Sequence, residues 1–184
     1  VWIHEEIWDN FIDKFLKRTK KIQVGNPMEE DIDIGPLIDD ESAKRVESWL
    51  EEAREGGAEF LTGGRIEGRL MEPTIITKTK PEMKIFCAEA FAPLVIVEKF
   101  KDFDSALDGV NNSIYGLQAG VFTRDIKKIF KAFEKLDVGG VVVNDVPTFR
   151  VDHMPYGGVK ESGFGREGIR WAMEEMTEIK LLAL

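Results

Sequence analysis

The residues of this chain whose types and spacing could do chemistry are concentrated in one stretch, MPYGGVKESGFGREG at residues 154–168. Within it, Gly163, Gly165 and Gly168 have the GxGxxG spacing of a dinucleotide-binding loop. Such a loop also needs a strand before the glycines, a helix after them and an acidic residue about 20 positions later. We expect a loop before these glycines, and residues 169–184 are too few to complete the unit. The match therefore predicts a structural turn that leads into the last helix.

The other reactive side chains are few. His4, His153 and the single cysteine, Cys87, do not have the spacing of metal ligands, so we predict no metal site. Free cysteines are usually small buried hydrophobic residues, and we predict that role for Cys87 rather than that of a nucleophile. One cysteine excludes an internal disulfide and is typical of a reducing compartment, so we expect a cytoplasmic protein.

The composition narrows the class of protein. The chain has 34 acidic and 25 basic residues, spread along its length, which argues against nucleic acid or an anionic membrane as a partner. No apolar run approaches the length of a membrane span. At 184 residues and 43% hydrophobic content, the chain predicts a single domain. Plentiful Glu and Lys with scarce Asn, Gln and Cys are typical of thermophile proteins.

The elements that must position these residues alternate between two periods. Helical spacing of apolar residues recurs four times, at Ile7–Leu16, Ala43–Ala53, Phe103–Val110 and Ile126–Phe133, and a last helix is expected around Ile169–Met176. Short β-rich runs lie between or beside them, at Val1–Ile3, Thr74–Ile76, Leu94–Val97, Gly120–Phe122 and Val141–Val143. This alternation predicts an α/β layered domain with a largely parallel sheet flanked by helices. Residues 179–184 have the pattern of a terminal strand.

The long connection between Asn144 and Gly165 is explained least by structure alone. It holds Pro147, Phe149, Arg150 and Tyr156 among glycines, and long loops of this mixed character are often functional.

The segment MPYGGVKESGFGREG closely resembles the P-F-G-G-x-K-x-S-G-x-G-R-E segment near the end of the NAD(P)-dependent aldehyde dehydrogenase superfamily. Other segments resemble that family in the same order: VGNP at 24–27, IGPLI at 34–38, GGAEFLTGG at 56–64, EPTI at 72–75, AEAFAPL at 88–94, NNSIYGLQAGVFT at 111–123, GGVVVN at 139–144 and TEIK at 177–180. The resemblance covers the whole chain but only the C-terminal part of a full-length member. It implies the family's catalytic-domain fold.

The resemblance also implies a chemistry that this chain cannot complete. In the family a cysteine thiolate attacks the aldehyde, hydride passes to a nicotinamide, and a glutamate-activated water hydrolyses the thioester. The nucleophile's G-Q-x-C segment and the base's E-L-G-G-K segment are both absent. We therefore expect NAD or NADP and a small aldehyde as ligands, the missing N-terminal part of the same enzyme as a partner, and no activity from this chain alone. The alternative is a non-catalytic oligomerisation or binding module that keeps the fold.

The best candidates for cofactor contacts are Glu89 and Phe91. They match the family's E-x-F-x-P element, in which the carboxylate accepts hydrogen bonds from the nicotinamide ribose hydroxyls and the ring packs beside the nicotinamide. Ala88 and Ala92 depart from the commoner E-E-x-F-G-P form. Without the resemblance, Glu89 would be a solvated residue and Phe91 a core residue.

The substrate candidates lie in residues 145–168, which the resemblance identifies as the substrate loop. Phe149 and Tyr156 resemble aromatic residues that line the family's substrate tunnel. Arg150 suits an anionic or polar aldehyde, although it could instead fix the loop to a neighbouring acid such as Asp152. The loop is similar to those of members that act on small hydroxy-aldehydes, such as lactaldehyde or glyceraldehyde derivatives.

The resemblance further implies a subunit interface. Arg166 and Glu178 match family positions in an interfacial ion-pair network, and residues 177–184 resemble the strand that pairs with a partner subunit. We therefore expect a homo-oligomer. The predicted organisation is one α/β region over 1–184, with sheet and helices in roughly 1–88 and 94–144.

Overall fold

A computed structural model describes residues 1–184, which divide into two compact units, Val1–Asp102 and Phe103–Leu184. Each unit contains its own sheet segments and its own cluster of buried apolar residues. The division after Asp102 is not among the boundaries predicted from the sequence, and the single α/β region over 1–184 stays a prediction.

The first unit contains three helices and seven strands. In chain order they are β1 (Trp2–His4), α1 (Trp8–Thr19), α2 (Asp40–Glu55), β2 (Glu59–Thr62), β3 (Ile66–Glu67), β4 (Leu70–Met71), β5 (Thr74–Thr77), α3 (Lys84–Cys87), β6 (Leu94–Ile96) and β7 (Glu98–Phe100). Strands β5 and β6 are parallel, β2 adds to β5 antiparallel, and β1 pairs parallel with β7. Strands β3 and β4 form a short antiparallel hairpin.

Helix α2 shows why these residues form these elements. Its buried side chains recur every three or four positions, at Ala43, Val46, Leu50 and Ala53, so one face packs on the unit's core. Asp39 is the N-cap of the helix, because its side chain accepts a hydrogen bond from the Ser42 backbone N–H at 2.7 Å. That backbone hydrogen bond holds the pKa of the Asp39 carboxyl below its ordinary value.

The second unit contains the remaining helices and strands. They are α4 (Phe103–Asn111), β8 (Tyr115–Gly116), β9 (Gln118–Val121), α5 (Ile126–Lys135), β10 (Gly140–Val143), β11 (Val159–Lys160) and α6 (Ile169–Glu175). Strands β9 and β10 are parallel, with Gln118 opposite Gly140 and Val121 opposite Val143, and β8 pairs antiparallel with β11. The buried cluster is formed by Leu107, Ala119, Val121, Ala132 and Leu136.

Two apolar segments are left uncovered in the single chain. The predicted helix α5 is present, and its apolar face is exposed, with Ile126, Phe130 and Phe133 each at least 59% accessible. Residues 179–184 form no strand within the single chain, because no other strand lies beside them to pair with their N–H and C=O groups, and their pairing with a partner subunit stays a prediction. In both cases the pattern identifies a shared face or a strand-forming segment but not the partner that would cover it.

The predicted α/β class is confirmed. The three parallel pairs of strands join strands of three or four residues. Two of the antiparallel pairs, β3 with β4 and β8 with β11, join strands of only two residues. The sequence does not predict β3, β4, β8 or β11, since two-residue strands are too short to show an alternating pattern. No helix of the chain is both long enough and apolar enough to cross a membrane.

Candidate functional site

The loop that follows β10 is held against β9 at three points. Asn144 adopts a left-handed backbone conformation (φ 57°), and its Oδ1 accepts a hydrogen bond from the Thr123 N–H at 3.0 Å. A Cβ on Gly120 would lie 2.7 Å from the Asp145 carbonyl oxygen, so glycine permits this approach. Farther along the loop, the Gln118 side chain donates to the Phe149 carbonyl at 3.2 Å. The first half of the substrate loop is therefore packed along one strand.

Two of the three predicted substrate residues are brought together. The Arg150 guanidinium lies over the Tyr156 ring, 4.6 Å from its centroid, and Arg150 Nη2 is 2.6 Å from Glu167 Oε2. The backbones of Tyr156 and Glu167 exchange two hydrogen bonds, of 3.1 and 2.6 Å. The acid that fixes Arg150 is thus Glu167 and not Asp152. Glu167 is not among the residues predicted for the site, although it lies in the GREG segment that the family resemblance includes.

The Arg150 guanidinium, although paired with Glu167 and stacked on Tyr156, is accessible to solvent. The Arg150 and Glu167 side chains are 49% and 63% exposed, and Phe149 next to Arg150 is half exposed. Glu167 occupies only one edge of a guanidinium that carries five N–H donors. Stacking on Tyr156 and pairing with Glu167 orient the remaining donors, which can bind an anionic or hydroxylated ligand.

The middle of the MPYGGVKESGFGREG segment has a packing role. Lys160 Nζ donates to the Asn111 carbonyl at 3.0 Å and lies 3.4 Å from Asp137 Oδ2. Ser162 Oγ accepts from the Gly116 N–H at 2.9 Å. Lys160 therefore ties β11 to the end of α4, and Ser162 ties the turn after β11 to β8.

Asn111 is the centre of that network and was not predicted. Its Oδ1 accepts from the Asp137 N–H at 2.8 Å, its Nδ2 donates to the Lys135 carbonyl at 2.6 Å, and its own carbonyl binds Lys160. One residue thus joins the end of α4 to the end of α5 through its side chain, and to β11 through its own carbonyl. A local sequence pattern cannot predict these contacts, because they join residues 24 to 49 positions apart in the sequence.

The GFGREG run is a turn, as the sequence predicts. A two-residue strand, β11, does precede it, contrary to expectation, but no second strand follows α6. Gly163, Gly165 and Gly168 all have positive φ, and Gly168 is the residue before α6. Arg166 donates to the carbonyls of Gly158 and Gly165, at 2.9 and 2.7 Å, and so closes the turn from within.

The predicted cofactor residues lie in the first unit, after α3. Phe91 has a left-handed backbone (φ 51°) and is 83% exposed, and the Glu89 side chain is also exposed. The Arg45 guanidinium donates to the carbonyls of Glu89 and Ala90, at 3.4 and 3.5 Å. The segment is therefore anchored through its backbone, and the two predicted contact side chains are accessible to a ligand. Phe91 is not a core residue.

Cys87 ends α3 and is exposed, so the prediction of a buried cysteine is wrong. The helix is one turn long, and its last residue faces solvent. His4 contacts the Phe100 ring edge-on at 5.2 Å and its Nδ1 accepts from the Glu6 N–H. No group of three or more His, Cys, Asp or Glu side chains is arranged to hold a metal ion.

The predicted interface residues do not meet within the chain. Arg166 binds carbonyls of its own turn, and Glu178 lies in the exposed segment 177–184. Their role between subunits stays a prediction.

Comparison with known proteins identifies the family of this chain. The model of the aldehyde dehydrogenase family matches residues 1–182. The chain belongs to the aldehyde dehydrogenase family. The resemblance seen in the sequence is confirmed at the level of the family.

Relatives of the chain have named substrates. It is 46% identical over 184 residues to the 3-sulfolactaldehyde dehydrogenase of Priestia aryabhattai and to the lactaldehyde dehydrogenase of Methanococcus vannielii, covering 100% of this chain and 39% of each relative. The crystal structure of the glyceraldehyde-3-phosphate dehydrogenase GapN from Methanocaldococcus jannaschii, complexed with NADP, superimposes with a TM-score of 0.91. That match has 42% identity and covers 97% of this chain and 39% of GapN.

These comparisons show one thing about the chain and one about its family. Its α/β fold is that of the family, and pyridine nucleotides are cofactors within the family. The chain spans about 39% of the length of the curated relatives it matches.

Proposed function

We propose that this chain is the C-terminal part of an NAD(P)-dependent aldehyde dehydrogenase that oxidises a small aldehyde to a carboxylic acid. Its motifs support this placement: the chain contains the E-x-F-x-P element and the substrate loop, and lacks the G-Q-x-C and E-L-G-G-K segments. The nucleophile and the base then lie on another part of the polypeptide. The 184-residue chain by itself is inactive.

The first role of the chain is to bind the cofactor, which accepts hydride when it is bound. With the cofactor bound, Glu89 would accept hydrogen bonds from the ribose hydroxyls on the nicotinamide side, and Phe91 would pack beside the nicotinamide ring. The exposed carboxylate and the exposed ring fit this role. A left-handed backbone is costly for phenylalanine, and backbone strain of this kind is concentrated at functional sites.

The second role is to select the aldehyde, and the observation that carries it is the fixed position of Arg150. Phe149 and Tyr156 would supply the apolar lining for the aldehyde, and Arg150 supplies a cation that is oriented by Glu167 and the Tyr156 ring. The aldehydes named for the three relatives are all three-carbon 2-hydroxy-aldehydes, and two of them carry an acidic group on C3. We infer that the substrate is a three-carbon 2-hydroxy-aldehyde and that Arg150 favours an anionic C3 group.

The third role is self-association. Residues 177–184 carry Ile179, Leu181, Leu182 and Leu184, all at least 79% exposed, and the backbone from residue 178 onward makes no strand pairing. We propose that the segment adds as a strand to a second copy, with Arg166 and Glu178 at that interface.

The test joins the chain to the upstream part of a family member that carries the two missing segments. With NAD or NADP and glyceraldehyde 3-phosphate or lactaldehyde, the extended enzyme should produce reduced cofactor, detected by its absorbance, while the 184-residue chain should not. Robust oxidation by the short chain that is lost in Cys87→Ser would contradict the assignment of the nucleophile to another segment. An extended enzyme that binds nucleotide without reducing it would favour a non-catalytic module.

A further inference from the structure

The side chain of Gln118 reaches from β9 to the substrate loop. Gln118 lies opposite Gly140 on β10, and its Nε2 donates to the Phe149 carbonyl at 3.2 Å. A Cβ on Gly140 would lie 3.3 Å from Nε2 and 3.4 Å from Cγ, closer than most such contacts. Because Gly140 has no side chain, the space beside it is free for the Gln118 side chain, which extends through it to the loop.

The Gln118 side-chain amide makes a single hydrogen bond, through Nε2. Its Oε1 is buried and has no hydrogen-bond partner. Turning the amide over would place oxygen against the Phe149 carbonyl oxygen, so only the observed orientation can hold the loop. A side chain with one hydrogen bond made and one buried acceptor unmet contributes little to stability. Its effect is therefore expected on the position of the loop.

The carbonyl that Gln118 holds belongs to the peptide unit between Phe149 and Arg150. The side chain of Arg150 is fixed separately, by Glu167 at 2.6 Å and by the Tyr156 ring. Arg150 is thus held at its backbone by one residue and at its guanidinium by another. If the backbone contact is lost, the ion pair has to follow a more mobile loop.

We propose that Gln118 is a positioning residue that places Phe149 and Arg150 and so sets the preference for anionic over neutral aldehydes. This proposal rests on the proposed function, because it assumes that Arg150 contacts the substrate. Gln118 itself contacts neither substrate nor cofactor in this scheme.

The first experiment needs only the 184-residue chain. Gln118→Met keeps an unbranched side chain of similar size while removing the donor and the unmet acceptor. Backbone amide exchange over residues 148–152 should become on the order of fivefold faster in this variant, as expected for the loss of one hydrogen bond. Gln23→Met is the matched control, since Gln23 Nε2 also donates to a carbonyl, that of Lys21, at 3.2 Å. Unchanged exchange at 148–152 in Gln118→Met would overturn the proposal.

The second experiment uses the extended enzyme and two aldehydes that differ at C3. In Gln118→Met, KM for glyceraldehyde 3-phosphate should rise on the order of fivefold, while kcat for both aldehydes and KM for lactaldehyde change by less than about twofold. Gln118→Glu, which cannot donate in its ionised form, should show the same split. An equal rise in both KM values, or a fall in kcat alone, would overturn the proposal. If the unmodified extended enzyme oxidises neither aldehyde, the proposed function fails, while amide exchange still decides whether Gln118 positions the loop.

Discussion

Arg150 and Glu167 form an ion pair of 2.6 Å across 17 positions of sequence, and the backbone of Glu167 is hydrogen-bonded to Tyr156, on whose ring Arg150 lies. One residue therefore fixes both the cation and the aromatic side chain beneath it. Because both partners are largely exposed, the pair adds little stability, and its value lies in orienting the guanidinium.

Replacing Arg150 with lysine should test that orientation. Lysine keeps the charge but loses the planar fork and the stacking on Tyr156. In the extended enzyme we expect KM for glyceraldehyde 3-phosphate to rise about tenfold or more, and KM for lactaldehyde to change little. Arg170→Lys is a suitable control, since Arg170 pairs with Glu174 on the exposed face of α6. An equal change in KM for the two aldehydes in Arg150→Lys would show that Arg150 does not bind the group on C3.

Replacing Asn111 with alanine should weaken the second unit. The variant loses two side-chain hydrogen bonds and leaves the Asp137 N–H and the Lys135 carbonyl without them. We expect the free energy of unfolding to fall by about 1–3 kcal/mol, measured by urea denaturation. The neighbouring exposed residue supplies the control, Asn112→Ala, which should change the free energy of unfolding by less than about 0.5 kcal/mol. Similar losses in both variants would contradict a central role for Asn111.

The ion pairs between α4 and α5 should make stability depend on pH. Hydrogen bonds from Lys131 and Lys135 hold the pKa of the Asp104 carboxyl below its ordinary value; Lys135 Nζ lies 3.0 Å from Asp104 Oδ1. A lowered folded-state pKa contributes stability above the pKa of the unfolded chain, and that stability is lost as pH falls through the folded-state value.

The variant Asp104→Asn should therefore unfold at a lower urea concentration than the unmodified chain at neutral pH. The difference should begin to shrink as pH falls below about 4, where the carboxyl becomes protonated in the unfolded chain, and it should disappear as pH falls through the lower folded-state value. The exposed Asp152→Asn serves as the comparison. A difference for Asp104→Asn that is the same at neutral and acid pH would rule out the charge as its cause.

Self-association through residues 177–184 should depend on backbone hydrogen bonds. Leu181→Pro removes an N–H that strand pairing needs, whereas Leu181→Thr keeps it. Because Leu181 is 88% exposed, neither change should alter the stability of the single chain. Sedimentation should show fewer oligomers for the proline variant and little change for the threonine variant. Equal association of both would place the interface elsewhere.

The structure also shows which parts of the fold follow from local pattern. The helix faces of α1, α2 and α4 and the strands β1, β5, β6, β9 and β10 were predictable, because each depends on residues within a few positions of one another. The exposure of the apolar face of α5 was not predictable. Its period shows that Ile126, Phe130 and Phe133 share a face but not that any part of the chain covers it.

By itself, the sequence determined the α/β class, the family, the order of the main elements and the candidate residues Glu89, Phe91, Phe149, Arg150 and Tyr156. Only the tertiary structure decided that Arg150 pairs with Glu167, that Gln118 holds Phe149 and that Asn111 joins three segments. These contacts connect residues 17 to 49 positions apart. Local periodicity and capping act within a turn or a strand, whereas such contacts exist only after the strands have paired and the loop has packed against them.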